Sequence, residues 1–166
     1  RQLGYPTLFC HELVVDGGPP LAHVGKASLR EFFRDFELDE DAHRAVKARA
    51  RAQGLGFVAT PFSVRAVDLL ERVGVDAFKI ASGDLTCTPL IERCARTGTP
   101  LILATGMATL DETIEAVRVA RAAGAHDLVV LHCVSAYPVP DGSENLRAIA
   151  TLAARCGTLV GLSDHG

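Results

Sequence analysis

The sequence is poor in aromatic residues and has no long apolar run, and each absence excludes a class of protein. It has no tryptophan, two tyrosines and one methionine among its 166 residues. No apolar run of about 18 residues occurs, so we expect no membrane span, and residues 1–10 lack a signal-peptide pattern. Lys and Arg total 17 against 20 Asp and Glu, a net charge of −3. We therefore expect no nucleic-acid partner, since such binders usually show a basic excess.

The cysteines show neither a pairing pattern nor a metal-binding spacing. Five occur, and no two of them form a C-x-x-C pair, which excludes a zinc knuckle and a thioredoxin-type motif. We interpret them as small hydrophobic residues, because free cysteine is usually buried in that role. A reducing, cytoplasmic location fits such thiols. The cysteines are Cys10, Cys87, Cys94, Cys133 and Cys156.

A repeated unit fills most of the chain. Short aliphatic runs each follow a glycine, and amphipathic segments separate them. The runs have the length and composition of buried strands, and a glycine just past a helix is the usual left-handed cap. The runs cover residues 56–60, 77–82, 100–105, 127–132 and 158–163, after Gly54, Gly74, Gly98, Gly124 and Gly157. The predicted helices cover residues 39–53, 63–73, 90–96, 110–123 and 143–155.

This order predicts an α/β fold built from βα units around a parallel sheet. No G-x-G-x-x-G follows the first strand, so a TIM (β/α)8 barrel is favoured over a dinucleotide-binding sheet. A whole barrel takes about 250 residues, so about five units predict an incomplete barrel that is interrupted at both ends. Residues 1–28 are predicted to form a loop-rich segment, and residues 29–166 the partial barrel.

Polar residues follow every predicted strand. They are Thr60, Ser82, Thr105, residues 132–137 and residues 163–165. The active site of a barrel lies at the carboxyl ends of its strands, and hydroxyl and backbone N–H groups there can bind a phosphate or carboxylate. The other interpretation is that these residues cap the helices that follow.

Lys79 is the most informative single residue, because it lies inside an apolar run. A lysine buried there is costly unless it meets an anion. It could bind a phosphate or carboxylate as a point charge, or act as a Schiff-base nucleophile. It could also point to solvent from a strand edge.

Two histidines, His132 and His165, lie at strand ends, which suggests metal binding or acid–base chemistry. Asp164 next to His165 could orient a metal ligand. We interpret the remaining histidines as surface residues, and these are His11, His23, His43 and His126.

Five strings in fixed order together resemble the sialic acid synthase family, which includes legionaminic and pseudaminic acid synthases and spore-coat polysaccharide proteins. The resemblance covers residues 29–166, and residues 145–149 (NLRAI) also fit. The strings are residues 57–63 (FVATPFS), 78–85 (FKIASGDL), 104–107 (ATGM), 131–138 (LHCVSAYP) and 161–165 (GLSDH).

The resemblance implies a TIM-barrel enzyme, a homodimer in its full-length form. It would condense phosphoenolpyruvate with an N-acylmannosamine-type sugar, releasing phosphate by C–O cleavage, with a divalent metal such as Mn²⁺, or alternatively Mg²⁺. Lys79 and Tyr137 are the implied catalytic residues. Thr60, Lys79 and Ser82 would hold the phosphate, aided by Thr105 and Gly106. Ser135 and Ser163 would face the carboxylate, Tyr137 would contact the sugar, and His165 would be a metal ligand.

Two departures from the family pattern leave the sugar open. Ala104 stands where some relatives carry Ser, and Ser135 where some carry Asn. The resemblance also implies that a catalytic Glu, a second Lys, a second metal His and an antifreeze-like domain lie outside this chain, so we expect the chain alone to be inactive. Two alternatives remain, a Schiff-base aldolase that uses Lys79 and a non-catalytic truncated barrel.

Overall fold

The computed structural model describes residues 36–166. The chain divides into two compact units, Arg1–Asp76 and Ala77–Gly166. The boundary predicted between residues 28 and 29 lies outside the described residues, as do Cys10, His11 and His23.

The described part of the first unit contains two helices and a short strand. Helix α1 (Glu40–Ala52) begins after Asp39, whose carboxylate accepts a hydrogen bond from the Ala42 N–H at 2.8 Å. Strand β1 (Val58–Ala59) follows, and then helix α2 (Val64–Val73), which begins after Ser63 and ends at Gly74. A side-chain oxygen before each helix therefore satisfies an N–H that lacks a partner within the helix.

Side chains from α1 satisfy the last carbonyl groups of α2. Lys47 Nζ donates to the Val73 carbonyl at 2.8 Å, and Arg44 donates to the Arg72 carbonyl at 3.0 Å. Glu40 also pairs with the Arg72 guanidinium at 2.9 Å. The end of a helix carries partial negative charge, so cationic side chains there stabilise it.

The second unit alternates four strands with three helices, as the sequence predicted. The strands are β2 (Ala77–Ile80), β3 (Leu101–Ala104), β4 (Leu128–Cys133) and β5 (Leu159–Ser163). They pair in parallel and in chain order. The helices between them are α3 (Thr88–Ala95), α4 (Leu110–Ala122) and α5 (Arg147–Cys156). The five glycines predicted as helix caps all have positive φ.

The two faces of the sheet in this unit differ in burial. Phe78, Ile80, Leu103 and Val130 alternate along their strands and are 0% exposed. Each such side chain stabilises the fold by about 1.5–3 kcal/mol through loss of apolar surface to water. The residues between them point to the opposite face, where Lys79, Ile102 and Val129 are half-buried. Lys79 therefore lies on the less buried face.

Helix α5 begins four residues later than the sequence predicted. Asn145 has a left-handed φ of 46°, a conformation that a helix cannot continue through. The carbonyl of Glu144 is also occupied, because His132 Nε2 donates to it at 2.7 Å. Leu146, which directly precedes the helix, is 53% exposed.

Two predictions about burial have mixed outcomes. Cys94, Cys133 and Cys156 are buried as expected, whereas Cys87 is exposed, and all four are free thiols. The surface interpretation of His43 is wrong, because the side chain is 1% exposed and its Nδ1 donates to the Asp39 carbonyl at 2.8 Å.

Residues 36–166 include no helix with both the length and the hydropathy to cross a bilayer.

Candidate functional site at the strand ends

The carboxyl ends of β2 to β5 meet at one edge of the second unit, because parallel strands end on the same side. The polar residues of the predicted site in this unit follow those ends. The register places Cys133 directly beside Ser163, and Ser82 follows β2 as the first residue of a 3-10 turn, Ser82–Asp84.

Lys79 lies three residues before Ser82 on the less buried face of β2. Its side chain is half-buried, between neighbours along the chain that are fully buried. Within the part of the chain that the structure describes, no carboxylate pairs with the Lys79 ammonium. A half-buried cation without a counter-charge is suited to binding an anionic ligand.

Three strand-end loops converge on the Ser82 hydroxyl. The Gly106 N–H donates to Ser82 Oγ at 3.0 Å, and Cys133 Sγ lies 3.2 Å from the same oxygen. A Cβ built at Gly106 would lie 2.7 Å from Ser135 Oγ and 3.0 Å from the Cys133 carbonyl oxygen. Only glycine fits at position 106 without displacing these groups. Ser82, Gly106 and Ser135 are therefore close together.

The Thr105 hydroxyl is hydrogen-bonded to the backbone of the sheet. Thr105 is buried, and both its Oγ1 and its N–H donate to the Leu131 carbonyl, at 3.2 Å and 3.1 Å. This side chain fixes the turn that presents the Gly106 N–H. Its predicted contact with substrate remains a prediction.

A second group of predicted residues meets at the ends of β4 and β5. Ser163 Oγ lies 3.2 Å from His165 Nε2, and the rings of Tyr137 and His165 have centroids 4.6 Å apart with an interplanar angle of 57°. The Val139 N–H donates to the His165 carbonyl at 3.3 Å. Tyr137 is 72% exposed, so its ring is accessible to a ligand.

Two further strand-end residues stand apart from these groups. His132 is buried, and its hydrogen bond to the Glu144 carbonyl holds the loop before α5 against β4. Thr60 follows β1 in the first unit and is buried, with 8% exposure. Its predicted contact with phosphate rests on the sequence.

Burial raises the pKa of Asp84, which ends the turn that Ser82 begins. Desolvation disfavours the charged carboxylate.

Residues 21–166 match the model of the NeuB family. The chain belongs to the NeuB family. It is 37% identical over 140 residues to N,N'-diacetyllegionaminic acid synthase of Campylobacter jejuni, covering 83% of this chain and 42% of that protein. It is also 45% identical to an uncharacterized protein of Methanocaldococcus jannaschii, covering 84% of this chain and 42% of that protein.

The fold is also that of solved family members. The N-acetylneuraminic acid (sialic acid) synthetase of Leptospira borgpetersenii, solved in complex with citrate, superposes with a TM-score of 0.78 at 33% identity. The match covers 83% of this chain and 48% of that protein. The predicted TIM-barrel type, with five βα units in this chain, is therefore confirmed. The chain spans about two fifths of the length of these curated relatives.

The described part of this NeuB family chain does not assemble a complete metal site. Residues 36–166 contain no group of three or more His, Cys, Asp or Glu side chains that could hold a metal ion. His165 contributes one imidazole, and its Nε2 contacts the Ser163 hydroxyl. A divalent ion in a protein usually requires more ligands than this.

Cys133 also belongs to the site of this NeuB family chain, although the spacing of the cysteines did not indicate this. Its thiol was interpreted only as a small hydrophobic group, yet it contacts Ser82 across the sheet edge. The alternation of β4 carries a signal for this, because Cys133 shares a face with Leu131 and lies two residues before Ser135. A cavity of about 500 Å³ also borders Gly106 and Cys133, between the first turns of α4 and α5.

Proposed function

We propose that the protein containing this chain condenses phosphoenolpyruvate with an N-acylmannosamine-type sugar to form a sialic-acid-like nonulosonic acid. The observation that carries this proposal is the half-buried Lys79 of β2, the strand that leads to Ser82 and its hydrogen-bonded neighbours at the strand ends. Family membership supports the synthase chemistry, since the named relatives are synthases of this class of sugar acid. The free thiols fit the cytoplasmic location that we propose.

Two anionic groups of phosphoenolpyruvate match two parts of the site. We assign the phosphate to Lys79 and Ser82, because an ammonium and a hydroxyl group stabilise the charge of a departing phosphate. We assign the carboxylate to Ser135 and Ser163. Tyr137 would contact the sugar, as its exposed ring allows.

The proposed reaction breaks the C–O bond between the enol carbon and the phosphate oxygen. Water adds to that carbon while the neighbouring carbon attacks the sugar aldehyde, so phosphoenolpyruvate, sugar and water yield the sugar acid and inorganic phosphate. Lys79 would hold the phosphate through this step and favour its departure. A full-length homodimer is part of the proposal.

A competing function is a Schiff-base aldolase, in which the Lys79 amine attacks a keto acid. The same half-buried lysine is the basis of this alternative. The two functions differ in whether Lys79 forms a covalent bond with the keto acid. Borohydride reduction with pyruvate traps such an adduct. We expect none, and an adduct mapped to Lys79 would establish the aldolase instead.

The main test is phosphate release by the full-length protein with phosphoenolpyruvate, Mn²⁺ and N-acetylmannosamine or its N-acylated relatives. We expect Lys79→Ala to lower kcat/KM for phosphoenolpyruvate by about 100-fold or more, the size of effect typical for loss of a preorganised charge. Lys47→Ala is the matched control, because Lys47 contacts the Val73 carbonyl, and it should retain turnover. Wild-type affinity for phosphoenolpyruvate in Lys79→Ala would contradict the phosphate role. Absence of turnover in the wild-type protein would favour the non-catalytic alternative.

We also propose His165 as one ligand of a divalent metal, with the other ligands coming from outside residues 36–166 or from solvent. Electron paramagnetic resonance of Mn²⁺ measures its binding without turnover. We expect His165→Ala to weaken binding about 10-fold or more, whereas the exposed His126→Ala should leave it unchanged. Unaltered Mn²⁺ binding in His165→Ala would remove His165 from the metal site.

A further inference from the structure

The Cys133 thiol is a buried group at the strand ends that the proposed reaction does not use. Cys133 ends β4, is 8% exposed and shares the register position of Ser163. Its Sγ lies 3.2 Å from Ser82 Oγ. We assign the Ser82 hydroxyl to the phosphate, so only this hydroxyl separates the Cys133 thiol from the ligand.

The bonding capacity of the Ser82 hydroxyl explains why this contact matters. A hydroxyl has one hydrogen to donate and two lone pairs that accept. The Gly106 N–H occupies one lone pair at 3.0 Å. If the Cys133 S–H donates to the second lone pair, the hydroxyl hydrogen must point elsewhere, toward a ligand. If the sulfur accepts instead, it takes that hydrogen away from the ligand.

The packing around Cys133 keeps its sulfur in place. A Cβ built at Gly106 would lie 3.1 Å from Cys133 Sγ and 3.0 Å from the Cys133 carbonyl oxygen. The backbone of the loop after β3 is therefore in close contact with Cys133. The sulfur has little room to move away from Ser82.

We infer that Cys133 is a positioning residue, whose S–H directs the Ser82 hydroxyl hydrogen toward the phosphate of the ligand. The inference rests on the proposed function. An anionic ligand at Ser82 needs a donor, so its binding selects the arrangement in which the thiol donates to Ser82 and Ser82 donates to the phosphate. Cys133 acts through Ser82 and does not touch the substrate.

Steady-state kinetics of the full-length protein tests this role. We expect Cys133→Ala to raise KM for phosphoenolpyruvate about 5-fold to 10-fold, the effect of losing one hydrogen bond, with KM for the sugar unchanged. Cys133→Ser keeps a donor and should restore KM to within about 2-fold of wild type. Cys156→Ala, which alters a buried cysteine at the end of α5, is the matched control and should leave both KM values unchanged.

A double-mutant cycle separates positioning from general stability. When Ser82→Ala has removed the hydroxyl, Cys133→Ala should have no further effect on KM for phosphoenolpyruvate, because the thiol then has nothing to orient. Independent effects that multiply would overturn the inference, as would an unchanged KM in Cys133→Ala. If Cys133→Ala does not fold, Cys133→Val replaces it, since Val also lacks a donor but fills the volume.

The two proposals fail in different ways. If wild type releases phosphate from phosphoenolpyruvate and Cys133→Ala does so with the same KM, the positioning role is wrong and the function stands. If wild type neither binds nor consumes phosphoenolpyruvate, the proposed function fails and the positioning role fails with it.

Discussion

At the scale of single residues, the hydroxyl groups at the strand ends differ in what remains available for a ligand. Thr105 donates its hydroxyl hydrogen to the Leu131 carbonyl, so this hydroxyl stabilises the turn after β3. Ser82 accepts from Gly106 and can still donate. Residues of the same type at equivalent strand ends therefore take different roles, according to the backbone groups that surround each of them.

Asp84 makes the stability of the folded chain depend on pH. Burial raises its pKa above the ordinary value of 3.8, so the folded chain binds this proton more tightly than the unfolded chain does. The stability that Asp84 contributes is present below the unfolded pKa and is lost as pH rises through the folded pKa.

We therefore expect Asp84→Asn to raise the free energy of unfolding at pH 7 by about 0.5 kcal/mol, a small value because the side chain is half exposed. Urea denaturation of both proteins between pH 3 and pH 7 measures the difference. The gain should shrink toward low pH, where wild-type Asp84 is protonated. A gain of equal size at pH 3 and pH 7 would contradict the desolvation argument.

At the scale of elements, helix α4 has the most complete start signal in the described chain. Thr109 Oγ1 accepts from the Glu112 N–H at 3.3 Å, and the Glu112 carboxylate accepts from the Thr109 N–H at 2.7 Å. This reciprocal capping box satisfies two N–H groups. The hydrogen bonds from Thr109 also lower the pKa of Glu112.

We expect Thr109→Ala to lower the free energy of unfolding by about 1 kcal/mol, the usual cost of losing an N-cap. Thr109→Ser keeps the hydroxyl and is the matched control, for which we expect little change. Chemical denaturation at pH 7 compares the three proteins. Equal losses for Ala and Ser would show that the methyl group, rather than the cap, stabilises this turn.

The elements also show where sequence patterns succeed and fail. Caps at Asp39, Ser63 and Thr109 are local signals, and those helices begin within one residue of the predicted position. The start of α5 is not local, because it depends on His132 reaching the Glu144 carbonyl from another element. These partners are twelve residues apart in the sequence, and no local pattern between them predicts the contact.

At the scale of the whole molecule, the second unit depends on a single densely buried face of its sheet. Ile80 is 0% exposed there. We expect Ile80→Ala to lower the free energy of unfolding by about 2–5 kcal/mol, because it leaves a cavity as well as losing apolar burial. Urea unfolding followed by circular dichroism measures this loss.

Leu55→Ala is the control, since Leu55 is 61% exposed. We expect it to change the free energy of unfolding by no more than about 0.5 kcal/mol. If the two substitutions cost the same, the burial difference between these positions would not determine the stability of the fold.

The sequence by itself determined the order of strands and helices, the parallel βα architecture and the family, because apolar period, caps and glycines are local properties of the chain. It also predicted hydroxyl groups directly after the strands. Only the tertiary structure decided which of those groups remain available, because hydrogen bonds between loops distant in sequence consume some donors and leave others. The contact of Cys133 with Ser82, across 51 residues, is a case that no local pattern encodes.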